Sequence, residues 1–462
     1  NHRNAWVSGS TINDATGLPD LGTSTFQGPL HDPTAIMYVR TSDLDANGRL
    51  VPGAPLEPVV LRAAAGDCIN VTLRNTLPLL VPDLATYSTL MGVVKRDRLG
   101  PQGATTFNNN LIRPSSHVGM HPQLVEYDVT RNDGANVGRN PVQTVAPGAT
   151  RTYQWYAGDL GIGAVSGVLA DIVATPVEFG GVNLMPADKI KQGAKSLVGA
   201  MVIEPVGSTW TELTTVFDHQ TGSGTRATRA QATVTAGAST FRDFSLVLTK
   251  GNTHYYKYGK PVQHMNGEGV GIPEDSQEAS GMLLNYGIEP MWFRFGILPQ
   301  APFGPAATAG SYASIPNSHK AYHNSVSVPG GTAVMGDPVT PVFIATAGMQ
   351  ARVRMTNPYG TTRGSTFQMH GHLWQRDPYI CPGETRNLLT GACLMTSVAS
   401  RAIGQNPQGF YEAGRESWTP AAHFDIVMPS AGGANAVKGD YLYRDAASFG
   451  NASGVWGIMR VQ

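Results

Sequence analysis

The chain has 462 residues, long enough for two or three domains and too long for one small disulfide-stapled module. Lys plus Arg and Asp plus Glu both number 33, so no excess of either sign is present to attract nucleic acid, an anionic membrane or an acidic polymer. Charged residues make up only 14%, while 54 Gly and 32 Pro take the place of surface helices, and no run approaches the roughly 18 apolar residues of a spanning helix.

Helical three-and-four spacing of apolar residues is scarce, and strand signals recur along the whole chain. Cys68-Ile69-Asn70-Val71-Thr72-Leu73-Arg74 alternates, Thr152-Tyr153-Gln154-Trp155-Tyr156 follows the turn Ala146-Pro147-Gly148, and Val198 to Ile203 is a short run of the fully buried kind. The second half repeats this with Phe241 to Leu248, Ala351 to Met355, Phe367 to His370, Tyr441 to Tyr443 and Gly457 to Val461. An all-β protein is expected.

The halves match in order as well as in kind. Ala65-Gly66-Asp67 with the strand closing at Asn75 parallels Ala347-Gly348-Met349 with the strand closing at Asn357. A His-bearing segment follows each block, and each half ends on a similar strand, Gly199 to Ile203 and Gly457 to Val461. Duplication of one sandwich is the economical reading. It divides the chain into an N-terminal arm at 1–34, a first domain at 35–206 and a second at 207–462 with long loop insertions. The chain opens at Asn1 without Met or a leader, as expected of a processed secreted protein or of a piece of a longer chain. Cys381 and Cys393 are expected to form a loop disulfide and Cys68 to be a buried thiol.

His370-Gly371-His372 is the sharpest chemical feature, because side chains two apart on a strand share a face and lie about 6–7 Å apart, a spacing that can serve one metal or two. His117 and His121 form a second pair on one face if their segment is extended. Bland readings suit the rest. His319 and His323 sit in a polar loop, His219, His254, His264 and His423 lack a near partner, and His2 and His31 lie in the arm. Met120, Met369 and Met395 could offer a thioether but read as core filler. Glu126, Asp128 and Asp133 suit a cation such as manganese, yet read better as turn and surface carboxylates.

These residues together resemble the multicopper oxidases. The carriers are Ala65-Gly66-Asp67 with Asn75, Ser116-His117 through His121, Asp133-Gly134, Val145 to Gly148, Gly199 to Pro205, and Thr366 through His370-Gly371-His372 to Trp374. Tyr127-Asp128-Val129, Asn183 to Asp188 and the stretch from Asp377 to Tyr441 look most like the bacterial subgroup that includes large manganese-oxidising enzymes. The resemblance implies tandem cupredoxin-like Greek-key β-sandwiches, copper, reduction of O2, an Mn(II) or phenolic reductant and an extracytoplasmic location. It implies metal ligation by His117, His121, His370 and His372. Two-domain members complete their clusters between subunits, so a trimer would bring His117 and His121 of one copy near His370 and His372 of the next.

The chain departs from the family at the other ligands. Where the first domain should carry a His pair, it reads through Gly161-Ile162-Gly163 and Glu178-Phe179-Gly180. Where the second should carry a thiolate flanked by His, it has Tyr441 to Gly450, with Arg444 and Asp445 in the ligand place as a candidate ion pair. Two expectations result: an oxidase completed by another chain, or a copper-binding or structural protein that keeps the sandwich without the chemistry.

Overall fold

A computed structural model describes residues 35–81, 113–166, 169–193, 195–213, 228–250, 282–287, 318–328, 340–359, 365–376, 411–446 and 454–462, with isolated short segments elsewhere. The arm at 1–34, apart from three short strand pairings, lies outside this set, as do Cys381, Cys393, Met395, His219, His254 and His264.

The described residues are strands joined by turns, as the composition predicts. The first half supplies β1 (Val59–Ala64), β2 (Cys68–Arg74), β3 (Met120–Pro122), β4 (Thr150–Tyr156), β5 (Gly158–Ser166), β6 (Leu169–Pro176), β7 (Gly180–Pro186) and β8 (Gly199–Glu204). One sheet has the order β1-β8-β7-β3, and β2 pairs with β4 in a second. Their facing side chains, among them Val118, Met120, Tyr153, Trp155, Leu184 and Met201, form one core. Cys68 is exposed, contrary to expectation. Its strand is amphipathic with the opposite phase: Ile69, Val71 and Leu73 turn to the core, so the period of two sends Cys68 out with Asn70, Thr72 and Arg74.

The second half adds β9 (Thr209–Glu212), β10 (Gln231–Ala236), β11 (Ser239–Lys250), β12 (Met282–Leu284), β13 (Val342–Ala345), β14 (Ala351–Tyr359), β15 (Ser365–Met369), β16 (Gly414–Trp418), β17 (His423–Met428), β18 (Gly439–Asp445) and β19 (Trp456–Val461). One sheet runs β9-β10-β11-β14-β17 with β12 on β11, and the other runs β13-β19-β18-β15-β16. A second core lies between them, built on Phe244, Phe343, Phe367, Trp374, Trp418 and Tyr443.

The repeat seen in the sequence is also a repeat of connectivity. In each half the first strand of one sheet pairs in parallel with the last, β1 with β8 and β13 with β19. The next neighbour is antiparallel, β7 or β18, and beyond it lies β3, which bears His121, or β15, which ends one residue before His370. The closing asparagines do the same work. The amide of Asn75 donates to Ala149 and its carbonyl accepts from Gly148, while Asn357 exchanges the same bonds with Ala422 and Ala421. Their side chains also donate across the sandwich, Asn75 to Ser116 and Val145 and Asn357 to Trp418.

Where the halves meet, a cluster of ions is buried. Arg62 bonds Glu204 at 2.5 Å and Asp243 at 2.6 Å, and Arg354 bonds Asp243 at 2.7 Å, Asp425 at 2.8 Å and Glu204 at 3.1 Å. The side chains of Arg62, Arg354, Glu204 and Asp243 are fully buried. Burial pushes the Glu204 carboxyl up to about 7, whereas at Asp243 burial is outweighed by Arg354 and Arg62, which hold its carboxyl low. Asp425 also accepts the Gly181 amide at 3.1 Å. Gly180 takes φ +66° beside it, and a Cβ there would fall on the Asp425 carboxylate. Desolvating such charges is costly unless each stays paired, so loss of one member leaves the others buried without compensation. No helix of the described residues is long and apolar enough to cross a membrane.

Candidate metal centre

The first His pair is shaped by alternation on β3 and the residues before it. Val118 and Met120 enter the core, which turns His117, Gly119 and His121 to the other side. Gly119 is required there: a Cβ would come within 1.8 Å of the Gly134 carbonyl oxygen, and one on Gly134, at φ +74°, would meet the Met120 carbonyl at 2.2 Å. This glycine contact presses the 133–134 turn onto the strand and sets Asp133 against His121.

His121 Nδ1 lies 2.6 Å from Asp133 Oδ1 and 3.0 Å from the Asp133 carbonyl. Asp133 is held in turn, its amide donating to Gln143 Oε1 at 2.8 Å. Tyr127 stands edge-on to the His121 ring at 6.1 Å, and its phenol is pushed up to about 12 by burial first and then by the charge of Asp133. Two acceptors at Nδ1 put the ring proton there and leave Nε2 as the acceptor nitrogen. A carboxylate behind a His in this way is the usual outer-shell support of a metal-ligating imidazole. His117 is exposed, with Nδ1 3.5 Å from Thr144 Oγ1, and its carbonyl accepts from Gln192 at 2.9 Å.

The second pair is arranged differently from the expectation of two imidazoles on one strand face. β15 ends at Met369, His370 is exposed with its amide on the Leu442 carbonyl, and Gly371 turns the chain at φ +67°. His372 is thereby swung inward and is 3% exposed. Its Nδ1 bonds the His370 carbonyl at 3.0 Å, its Nε2 accepts the Gly432 amide at 3.0 Å, and Tyr441 stands edge-on at 4.6 Å. Both ring nitrogens thus serve the backbone. Burial lowers the imidazole pKa below its usual value, against the weaker pull of the His370 carbonyl.

His121 and His370 lie along equivalent strand pairs but two residues out of step. His121 pairs with Met185 of β7, whose counterpart Arg444 of β18 pairs with Gln368, while the bond from the His370 amide to Leu442 matches that from Gln123 to Asn183.

Other candidates resolve as structural. Met120 and Met369 are buried core members. Asp128 is exposed, and its carboxyl is held below the usual range by hydrogen bonds from Thr130. His319 and His323 are exposed. Arg444 and Asp445 do not pair with each other, because adjacent strand residues face opposite ways: Arg444 bonds Gln368 at 3.0 Å and Asp445 accepts the Thr366 amide at 2.9 Å. The stretch through Gly161-Ile162-Gly163, in the place of a family His pair, is one arm of the β5–β6 hairpin, which sequence reasoning missed. The Asp133 partner of His121 was also missed as a partner; the signal was Asp133-Gly134, in which Gly allows the close approach.

The donor set does not fit a complete copper centre of the multicopper oxidase type. Among the described residues no three His, Cys, Asp or Glu side chains converge, and Cys68 lies on an exposed strand face. It does fit one oriented nitrogen donor, His121, with His117 on the same side of the strand.

No family model matches the chain. A probable nitrite reductase-hydroxylamine oxidoreductase fusion protein of Kuenenia stuttgartiensis is 31% identical over 120 residues, 26% of this chain and 12% of that protein. The match therefore spans a small part of that relative. Solved structures similar to this one include a copper nitrite reductase from Nitrosomonas europaea (TM-score 0.38, 12% identity, 88% of this chain and 83% of that one). A multicopper oxidase (TM-score 0.39, 11% identity, 88% and 79%) and a blue copper oxidase from Nitrosomonas europaea (TM-score 0.38, 12% identity, 93% and 83%) are also similar. Scores this low transfer no site residue.

Proposed function

We propose that this chain is a copper-binding protein of cupredoxin type, in which His121 Nε2, steadied by Asp133, is the principal ligand and His117 the second. The observation that supports this reading is the 2.6 Å contact of His121 Nδ1 with Asp133, which leaves Nε2 as an acceptor. His370, exposed just past the end of β15, is the donor proposed to serve a second site or to complete the first from another copy. The division at 35–206 and 207–462 and an extracytoplasmic location belong to the same proposal.

Oxidation of Mn(II) or a phenol by O2 then needs donors beyond those that the described residues bring together, from elsewhere in this chain or from another copy. A second reading, a structural or assembly protein that keeps the sandwich, draws support from His372, whose ring nitrogens are both committed to the backbone.

The test is copper per chain by elemental analysis after loading with Cu(II) and dialysis, on the wild type and His121→Ala, with O2 uptake on Mn(II) and phenols measured alongside. Copper retained by the wild type and lost by His121→Ala supports the reading. A wild type that retains none favours the structural one.

A further inference from the structure

The β5–β6 hairpin carries a surface that the sandwich does not use. Its register sets Leu160 opposite Ala174, Ile162 opposite Ile172 and, past a bulge, Val165 opposite Ala170. By the period of two these six share one face, and that face is apolar throughout. Ile162 is 80% exposed, Ile172 76%, Val165 67% and Leu160 47%. The reverse face carries Asp159, Gly161, Asp171 and Thr175 around Val173. A two-stranded ribbon is marginal in water, and an amphipathic one with its apolar side open is built to be covered.

We propose that this face is a self-association surface whose occupant is a second copy of the same hairpin, stacked face to face about a two-fold axis. The face offers no charge and no side-chain hydrogen-bonding group, so its partner must be apolar and flat. A copy of itself is both, with the Ile162 and Ile172 pair at its centre meeting the same pair. Identical faces related by a two-fold close as a dimer, with sheets about 10 Å apart. A formal net charge of zero imposes no long-range repulsion between copies, and Asp159 and Asp171 lie on the outward sides. The four large side chains expose roughly 500 Å² per copy, so a pair buries about 1,000 Å², the lower end for a specific contact. The proposal does not rest on copper binding.

Sedimentation velocity on the full chain, across a dilution series from near-millimolar to submicromolar, tests it. The expected result is a reversible monomer–dimer equilibrium that is abolished in Ile162→Lys/Ile172→Lys and retained in Val173→Lys on the reverse face. Ile162→Thr/Ile172→Thr, which keeps β-branched side chains, guards against misfolding of the lysine variant and should weaken the dimer at least tenfold. A wild type that stays monomeric throughout overturns the proposal. So does a dimer untouched by either double variant, a dimer lost equally in Val173→Lys, or a monomer that instead binds neutral phosphatidylcholine vesicles through Ile162 and Ile172.

Discussion

His121 Nδ1 and Asp133 Oδ1 are 2.6 Å apart, and the contact exists because Gly119 and Gly134 let two backbone segments approach closer than any side chain allows. If the carboxylate steadies a metal-ligating imidazole, Asp133→Asn weakens copper binding about 10- to 100-fold, since it leaves the ligand in place and loosens its orientation. Isothermal titration with Cu(II) reads the change. Equal affinity in the two proteins would show that Asp133 has only a structural part.

His372 is expected to matter for stability and not for copper. It joins the turn after β15 to the Gly432 turn through two backbone hydrogen bonds, and it is buried against Tyr441. His372→Ala strands the Gly432 amide and opens a void, a loss of about 2–4 kcal/mol, which urea unfolding measures. Copper retained per chain should stay unchanged; a drop to none in a folded variant contradicts this division of roles.

The buried ions at the junction of the halves make a third case. Arg354→Leu leaves Asp243 and Glu204 buried with Arg62 as their remaining partner and strips Asp425, at a cost of about 3–5 kcal/mol. Arg460→Leu, which breaks pairs with Asp337 and Asp440 nearer the surface, should cost about 1 kcal/mol or less. Paired thermal or urea melts compare them, and similar losses in the two variants contradict the weight given to burial.

His423, at the start of β17, contributes a pH dependence. Burial pushes its pKa below the usual value near 6.5, outweighing the nearby Asp425 carboxylate. The unfolded chain therefore binds the proton more readily. The stability from this group is fully present above about pH 6.5 and is lost as the pH falls from there through the lower native value. Urea unfolding across that window should show a shallower loss in His423→Phe than in the wild type, and parallel curves contradict the assignment.

Much of the architecture was legible because it rests on period and repetition. The alternation of Cys68 to Arg74 appears where pattern placed it, the buried run expected at Val198 to Ile203 is the strand Gly199–Glu204, and the matched asparagines make the same bonds although Asn357 lies two residues inside the end of its strand. The phase at Cys68 was not legible from the thiol alone, since three apolar neighbours of opposite parity decide which face is buried. The β5–β6 hairpin escaped notice because its apolar residues lie beside glycines and pack on no core. At the site, the sequence offered His117, His121, His370 and His372 as candidate ligands, but the bend at Gly371 that commits His372 to the Gly432 amide depends on a positive φ and on a turn some sixty residues away.

The proposed copper ligand is His121 Nε2. Pulsed electron paramagnetic resonance on the Cu(II)-loaded protein, at less than one copper per chain, resolves the coordinated imidazoles directly. The wild type should show imidazole nitrogen coupling that is lost in His121→Ala and kept in His372→Ala. The same coupling, undiminished in His121→Ala, would place the metal elsewhere and contradict the account.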